Sequence, residues 1–426
     1  LLLCPLSRAN AAMLCTRLAW LRPVPLGLHI SVGFGDRLGL ATPGHVRAAC
    51  RFNTIDPIFA QQSVRESTRT GRTPREVLDD AMWGLFQEGW RERWGADADH
   101  LKSVADADSF VDAGYTLFTI DPGDQVDDAA QSAAPAELEA KVSDLPWQRL
   151  EDTARGMEER YLGQSFDLGD FALVLDREML WRAAAKYGRA VDHTVRMYRH
   201  LVSRLEPGSF ELEVSVDETA VPTSPAEHLF VATELRRLGV RWVSLAPRFV
   251  GRFEKGVDYI GDPETFAAEF ARHAAVAQEM GPYKLSLHSG SDKFSIYPAV
   301  ARLAGELFHL KTAGTSYLEA LRNISQVDPA FFREILTLAR ARYETDRATY
   351  HLSAQLDRVP AEETLADKDL PGLLEQPDGR QVLHVTFGSV LDRFRDRLLA
   401  TLYRHQERYY SLLEAHLARH LAFFAG

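Results

Sequence analysis

Short runs of alternating or β-branched residues recur along the chain, each ending in polar side chains and each followed by a helical stretch. In order they are 29–37 (HISVGFGDR), 97–102 (DADHLK), 115–121 (YTLFTID), 210–217 (FELEVSVD), 241–247 (RWVSLAP), 284–290 (KLSLHSG), 308–315 (FHLKTAGT) and 381–388 (QVLHVTFG). Amphipathic helical patterns lie between them, as at 74–93, 263–280 and 297–306. Alternation of strand with helix joins neighbouring strands in parallel rather than as hairpins. Eight such strands is the number that closes a parallel barrel. The pattern predicts an α/β fold, a (β/α)8 TIM-type barrel, over residues 27–391.

Two connections are too long for ordinary barrel loops, about 125–208 and 316–380, and read as helical insertions. The acidic, Ala-rich piece 127–141 is expected to be a mobile surface loop, with Pro135 and Pro146 breaking helices around it, and 392–426 a long C-terminal helix packed on the barrel. Residues 1–26 are apolar, but Pro5, Arg8, Arg17, Arg22, Pro23 and Pro25 interrupt the run before a membrane-length span forms. That segment is expected to be irregular or artefactual, and no membrane association follows from it. The formal net charge of −11, with no basic stripe, argues against nucleic acid as a partner. Three unpaired-looking cysteines, Cys4, Cys15 and Cys50, fit a reducing, cytoplasmic compartment. A homo-oligomer is compatible with this composition.

In parallel barrels the working groups lie at the carboxyl ends of the strands. Here those ends carry Asp99, His100 and Lys102, then Asp121 and Asp124, then Glu213 and Asp217, then Arg248, then His288, Ser289 and Lys293, then Lys311, and finally His384. Any one of them alone reads as hydrogen-bonded filler or a helix cap. A buried ring of them costs several kcal/mol per unpaired charge, so it persists where a ligand compensates it. Carboxylates mixed with imidazoles suit one divalent ion such as Zn²⁺, Mn²⁺ or Ni²⁺. Cations such as Lys255, Arg248 and Lys311 suit an anionic, polyhydroxylated substrate.

Competing motifs are weak. The run GFGDRLG at 33–39 has the wrong glycine spacing for a dinucleotide fold, with Pro43 interrupting the next helix, so neither nicotinamide nor flavin is expected. The run SGSDK at 289–293 lacks phosphate-loop spacing and is read instead as contact to sugar hydroxyls or a carboxylate. His416 and His420 are four apart, which is metal spacing, but they read as a solvated helix end.

Several long strings, among them SVGFGDRLGLATPGH (31–45), GADADHLKS (95–103), SVDETAVPTSP (215–225), SLAPRFVGRFEKGVDYIGD (244–262), LHSGSDKFSIYP (287–298) and HLKTAGTSYLEALR (309–322), resemble the tagaturonate epimerase family. The likeness runs from about residue 27 to about 391, and it implies a metal-dependent isomerase interconverting D-tagaturonate and D-fructuronate in hexuronate breakdown. These keto acids differ at a carbon β to the ketone, whose hydrogen is not acidic. Retro-aldol cleavage, rotation of the aldehyde fragment and re-addition is the expected route. Within that frame His100 and His288 are expected to bind the metal with Glu254 as the favoured third ligand and Asp124 and His384 as its competitors, and Asp99 and Glu213 to act as base and acid. Asp124, Arg248, Lys255, Ser289, Lys293, Lys311 and His384 are expected to contact substrate. The rival readings are a metal-dependent aldolase or ketose isomerase for related sugars, and a non-catalytic barrel that binds sugar acids.

Overall fold

A computed structural model describes residues 4–169 and 171–425. Eight parallel strands close into a barrel, numbered here β1 (Ser31–Gly35), β2 (Asp56–Ser63), β3 (Gly95–Leu101), β4 (Leu117–Ile120), β5 (Glu211–Val216), β6 (Ser244–Pro247), β7 (Lys284–Leu287) and β8 (Phe308–Thr312). The sheet closes by pairing β1 with both β2 and β8, Ser31 lying opposite Asp56 on one side and His309 on the other.

One strand forms that was not expected, and one expected strand is a helix. Residues 56–63 (DPIFAQQS) make β2, although Pro57 near its start and two glutamines at its end weaken its strand pattern. Residues 381–385 are instead the end of a helix, Pro377–Val385, and a second helix, Phe387–Arg404, follows at once. Arg380 to Val385 are buried on every side, so the segment carries no helical stripe and its β-branched residues mimic a strand.

Alternation along each strand sends one set of side chains outward under the helices and the other into the lumen. The outward set, including Val32, Phe34, Phe118, Leu212 and Leu310, joins the main apolar core. The lumen is filled mostly by polar groups: Ser31, Gln61, Asp97, Thr119, Glu213, Lys284, His309 and Lys311 are all buried. Barrels ordinarily pack this space with Val, Ile and Leu. Here hydrogen bonds fill it, as where Lys284 Nζ donates to Ser31 Oγ at 2.9 Å.

The first insertion holds helices Pro135–Ser143, Ala154–Tyr161 and Arg177–Arg204 and a small antiparallel pair, 165–167 with 172–174. The stretch 127–141, expected as a mobile loop, is a 3₁₀ turn running into the first of these helices. Pro135 starts that helix rather than breaking it, and Leu138 and Val142 anchor it. The second insertion and the C-terminus pack helices Thr315–Val327, Pro329–Asp346, Phe387–Arg404 and Gln406–Leu421 around a separate apolar core. The single C-terminal helix expected is thus two, parted at His405. The lead-in also differs from its irregular expectation: Arg8–Arg17 is helical, and Leu26 packs with Ile58 and Leu117 under the barrel. No helix among the described residues is long and apolar enough to cross a membrane.

Candidate active site

The floor of the mouth is organised by Lys311, whose ammonium lies 2.8 Å from Asp97, 2.6 Å from Asp99 and 2.8 Å from Glu213 and donates to Thr119 Oγ1 at 2.8 Å. These partners come from β3, β5 and β4, so one cation on β8 ties four strands across the lumen. Removing the ammonium would leave three buried carboxylates uncompensated, a loss that typically costs about 3–5 kcal/mol.

Two histidines stand above this floor. The pairing of β3 with β4 shifts register between Ala98 and Leu101, and His100 takes a left-handed backbone (φ 53°). Simple alternation would send Asp99 and His100 to opposite faces, whereas the irregularity brings both to the mouth. Asp121, at the end of β4, lies 3.1 Å from His100 Nδ1 and is itself fixed by the Gly123 amide at 2.8 Å. That leaves Nε2 turned toward Asp99, 3.9 Å away. His288, just past β7, has Nε2 2.7 Å from Glu213 and Nδ1 3.3 Å from Asp217, and Ser289 after it is again left-handed (φ 50°). The two imidazole rings meet edge to face with centroids 5.0 Å apart.

Charge is unbalanced here. Asp97, Asp99 and Glu213 surround the ammonium of Lys311, Asp121 and Asp217 flank the two histidines, and the half-exposed Lys102 reaches Asp121 at 3.8 Å, so five carboxylates meet two ammonium groups. Burial alone would push both histidines toward neutrality, but the carboxylates win: His100 is raised to about 10, chiefly by Asp99 and Asp121, and His288 to about 9, chiefly by Asp217. Burial, with Asp99 and Glu213 nearby, pushes Asp97 up to about 6 against the pull of Lys311. Lys311 and the histidines hold Asp99 below the usual carboxylate range despite its burial. The pocket demands positive charge, and a divalent cation fits the donors present. One ligand atom each from Asp99, His100 and His288 lie within 4.8 Å of one another.

Glu254 does not join this group, because its Oε2 accepts from the Ser353 amide (2.7 Å), Ser353 Oγ (2.6 Å) and Gln381 (2.9 Å), tying the loop after β6 to the second insertion. Asp99 stands where Glu254 was expected. Lys293 is not free for substrate either: its ammonium donates to the backbone carbonyls of Glu254, Val257 and Ser291 at 2.9, 2.5 and 3.0 Å. Asp124 sits exposed on the rim, paired with Lys102 at 2.9 Å. Arg248 is half-buried, and Lys255 is half-buried on the loop after β6. His384 lies on the helix ending at Val385, not at a strand end. His416 and His420, expected to be solvated, are buried in a clasp on Asp292. His416 Nε2 lies 2.9 Å from that carboxylate, and His420 takes the Asp292 amide proton at 2.9 Å and approaches the His416 carbonyl at 3.0 Å. Both nitrogens of His420 are thus committed within the protein.

Sequence reasoning passed over Asp97, Thr119 and Gln61. Asp97 is two residues before Asp99 in the alternating string GADAD, so strand periodicity alone places both on one face. Gln61 belongs to the strand that was not anticipated; both atoms of its buried amide lack a partner beside the lumen.

The comparisons with known proteins follow this architecture. A family model for tagaturonate epimerase matches residues 1–424. A tagaturonate/fructuronate epimerase of Thermotoga maritima is 46% identical over 425 residues, 99% of this chain and 86% of that protein. The native crystal structure of the fructuronate-tagaturonate epimerase of Cohnella laeviribosi has a TM-score of 0.94 at 38% identity, covering 99% of this chain and 86% of that one. A one-glycerol complex of the same enzyme gives 0.94 at 37% identity, again with 99% and 86% coverage. The match runs through the lead-in segment and the C-terminal helices as well as the barrel, and the chain belongs to the tagaturonate epimerase family.

Proposed function

We propose that this chain interconverts D-tagaturonate and D-fructuronate by breaking and remaking a carbon–carbon bond, with one divalent metal ion held by His100, His288 and Asp99. The observation that carries the metal reading is the convergence of those three donors over a floor crowded with carboxylates. When bound there, a divalent ion supplies Lewis-acid stabilisation of negative charge developing on oxygen. Asp121 orients His100 as an outer-shell carboxylate, fixing which ring nitrogen faces the site.

The proton chemistry falls to the floor. Cleavage of a β-hydroxy ketone removes the hydroxyl proton as the carbon–carbon bond breaks, leaving an aldehyde and an enediolate. Glu213, 2.7 Å from His288 and 2.8 Å from Lys311, is placed to receive that proton. Lys311 also touches Asp97 and so links two carboxylates that share the load. After the aldehyde fragment turns, the enediolate carbon attacks its opposite face. The new alkoxide then takes the proton back, so no net proton is consumed and the configuration is inverted. Polar lumen groups that exclude bulk water hold the fragments' charges without solvent reorganisation.

Proton NMR of D-fructuronate with metal-stripped and metal-restored protein tests this reading. Tagaturonate signals only in the restored sample are expected. Conversion at equal rates in both samples refutes the metal assignment, and accumulation of free three-carbon products makes the enzyme an aldolase.

A further inference from the structure

A corner of the mouth on the Asp99 side has no part in the proton chemistry and is rich in unmet donors. Arg37, just past β1, is paired with Glu66 at 2.9 Å and lies 3.8 Å over the Phe387 ring. Its Nη2 is 3.3 Å from His384 Nε2. A guanidinium can only donate, so Nε2 must accept, and the ring proton of the neutral imidazole is forced onto Nδ1. Neutrality is secured by burial and by the adjacent charges of Arg37, Lys255 and Arg380. His384 is only 1% exposed and its Nδ1 has no partner. That nitrogen faces the loop after β6, where a Cβ added at Gly256 would sit 3.7 Å from it.

Two other donor groups meet the same imidazole. Helix Thr315–Val327 begins against it: a Cβ at Gly314 would lie 2.3 Å from His384 Cε1. Gly314 is left-handed (φ 92°), the helix has no side-chain cap, and the buried Thr315 hydroxyl has no partner. An uncapped helix start presents free amides and a positive end to whatever lies before it. Lys255, next to Gly256, carries an ammonium with no hydrogen bond or ion pair to any described residue. Burial and the like charges of Arg65 and Arg37 push its ammonium toward neutrality, and the carboxylates of Glu66 and Asp99 are near enough to pull the other way without bonding it. Glu66 is taken by Arg37, so Lys255, His384 Nδ1 and the start of the helix remain donors without a bonded acceptor, on the Asp99 side of the mouth.

We propose that this corner, with Lys255, the Nδ1–H of His384 and the amino end of helix Thr315–Val327, is the subsite for the substrate's carboxylate, and that it selects sugar acids over neutral ketohexoses. It rests on the sugar-acid reading above. A carboxylate seated there satisfies the orphaned donors at once, whereas a primary alcohol in the same place offers no charge to Lys255. It also gives the acid-bearing fragment a fixed pivot while its aldehyde end turns.

Calorimetric titration of D-glycerate, a stable three-carbon acid, and of glycerol, its neutral counterpart, into wild type and Lys255→Met tests the assignment without turnover. Glycerate affinity is expected to fall about tenfold or more in the variant while glycerol binding is unchanged. Thr315→Val, nearly isosteric, should weaken glycerate by about two- to fivefold and guards against a folding defect in the first variant. Equal glycerate affinity in wild type and a folded Lys255→Met overturns the proposal. Failure of the wild type to epimerise fructuronate would count against the reaction assigned above and leave the glycerate comparison standing.

Discussion

Among the described residues three histidine pairs have ring centroids about 5 Å apart, and two of them, both formed between separate elements, have opposite character. His100 and His288 have ring centroids 5.0 Å apart at the barrel mouth, and His228 and His273 have centroids 5.1 Å apart between two outer helices. The second pair touches through Nδ1 atoms at 3.0 Å, with the Tyr283 hydroxyl 2.8 Å from His228 Nε2 and Phe249 against His273. Burial, unopposed by any carboxylate in contact, drives His273 down to about 4 and His228 well below its ordinary value. At the mouth the same burial is overridden by acids. Proximity of imidazoles is thus no sign of a metal centre by itself; the neighbouring charge decides.

Matched substitutions sharpen the contrast most. His288→Ala should lower kcat by about 10³-fold or more and abolish stoichiometric metal uptake, read by steady-state kinetics and metal analysis. His273→Ala should leave kcat and metal content alone but cost about 3 kcal/mol of stability, from the cavity and the stranded His228. A catalytic defect in a folded His273→Ala would break the distinction. Next in size, Asp121→Asn should weaken metal affinity by about 10–100-fold through loss of the group that orients His100, measured by competition with a chelator.

The smallest effect is a difference in the sign of pH dependence. His100 and His288 have folded values of about 10 and about 9, above the unfolded value, so in the metal-free protein their stabilisation is complete below about pH 6.5 and is lost as pH rises through 9 to 10. His273, at about 4, stabilises fully above about pH 6.5 and loses that contribution as pH falls toward 4. Denaturant melts of metal-free wild type should therefore weaken at both ends. His273→Ala should flatten only the acid side, and a flattened alkaline side in that variant would contradict the assignment.

Much of this was legible in the residues because strand ends advertise themselves. Asp99, His100, His288 and Lys311 lie at or near the ends of alternating runs and Glu213 within one, and barrel geometry then brings them together whatever their distance in sequence. What stayed hidden depended on direction rather than position. Glu254 and Lys293 sit on loops at the correct mouth, yet one turns to Ser353 and the other to backbone carbonyls. No spacing rule encodes such turns. The strand Asp56–Ser63 was concealed by its own chemistry, since a lumen lined with amides and acids removes the apolar alternation by which strands are recognised. The buried helix through His384 failed for the converse reason, being apolar and polar on all sides without a stripe.

The ammonium of Lys311 serves as a rivet as well as a charge. Because it binds residues of three other strands at once, the groups that would move protons are the same groups that hold the lumen shut. Evolutionary drift at any one of them must be matched by its neighbours in the same step, so new specificities in this lineage are expected to arise in the loops around the rim and not in the floor.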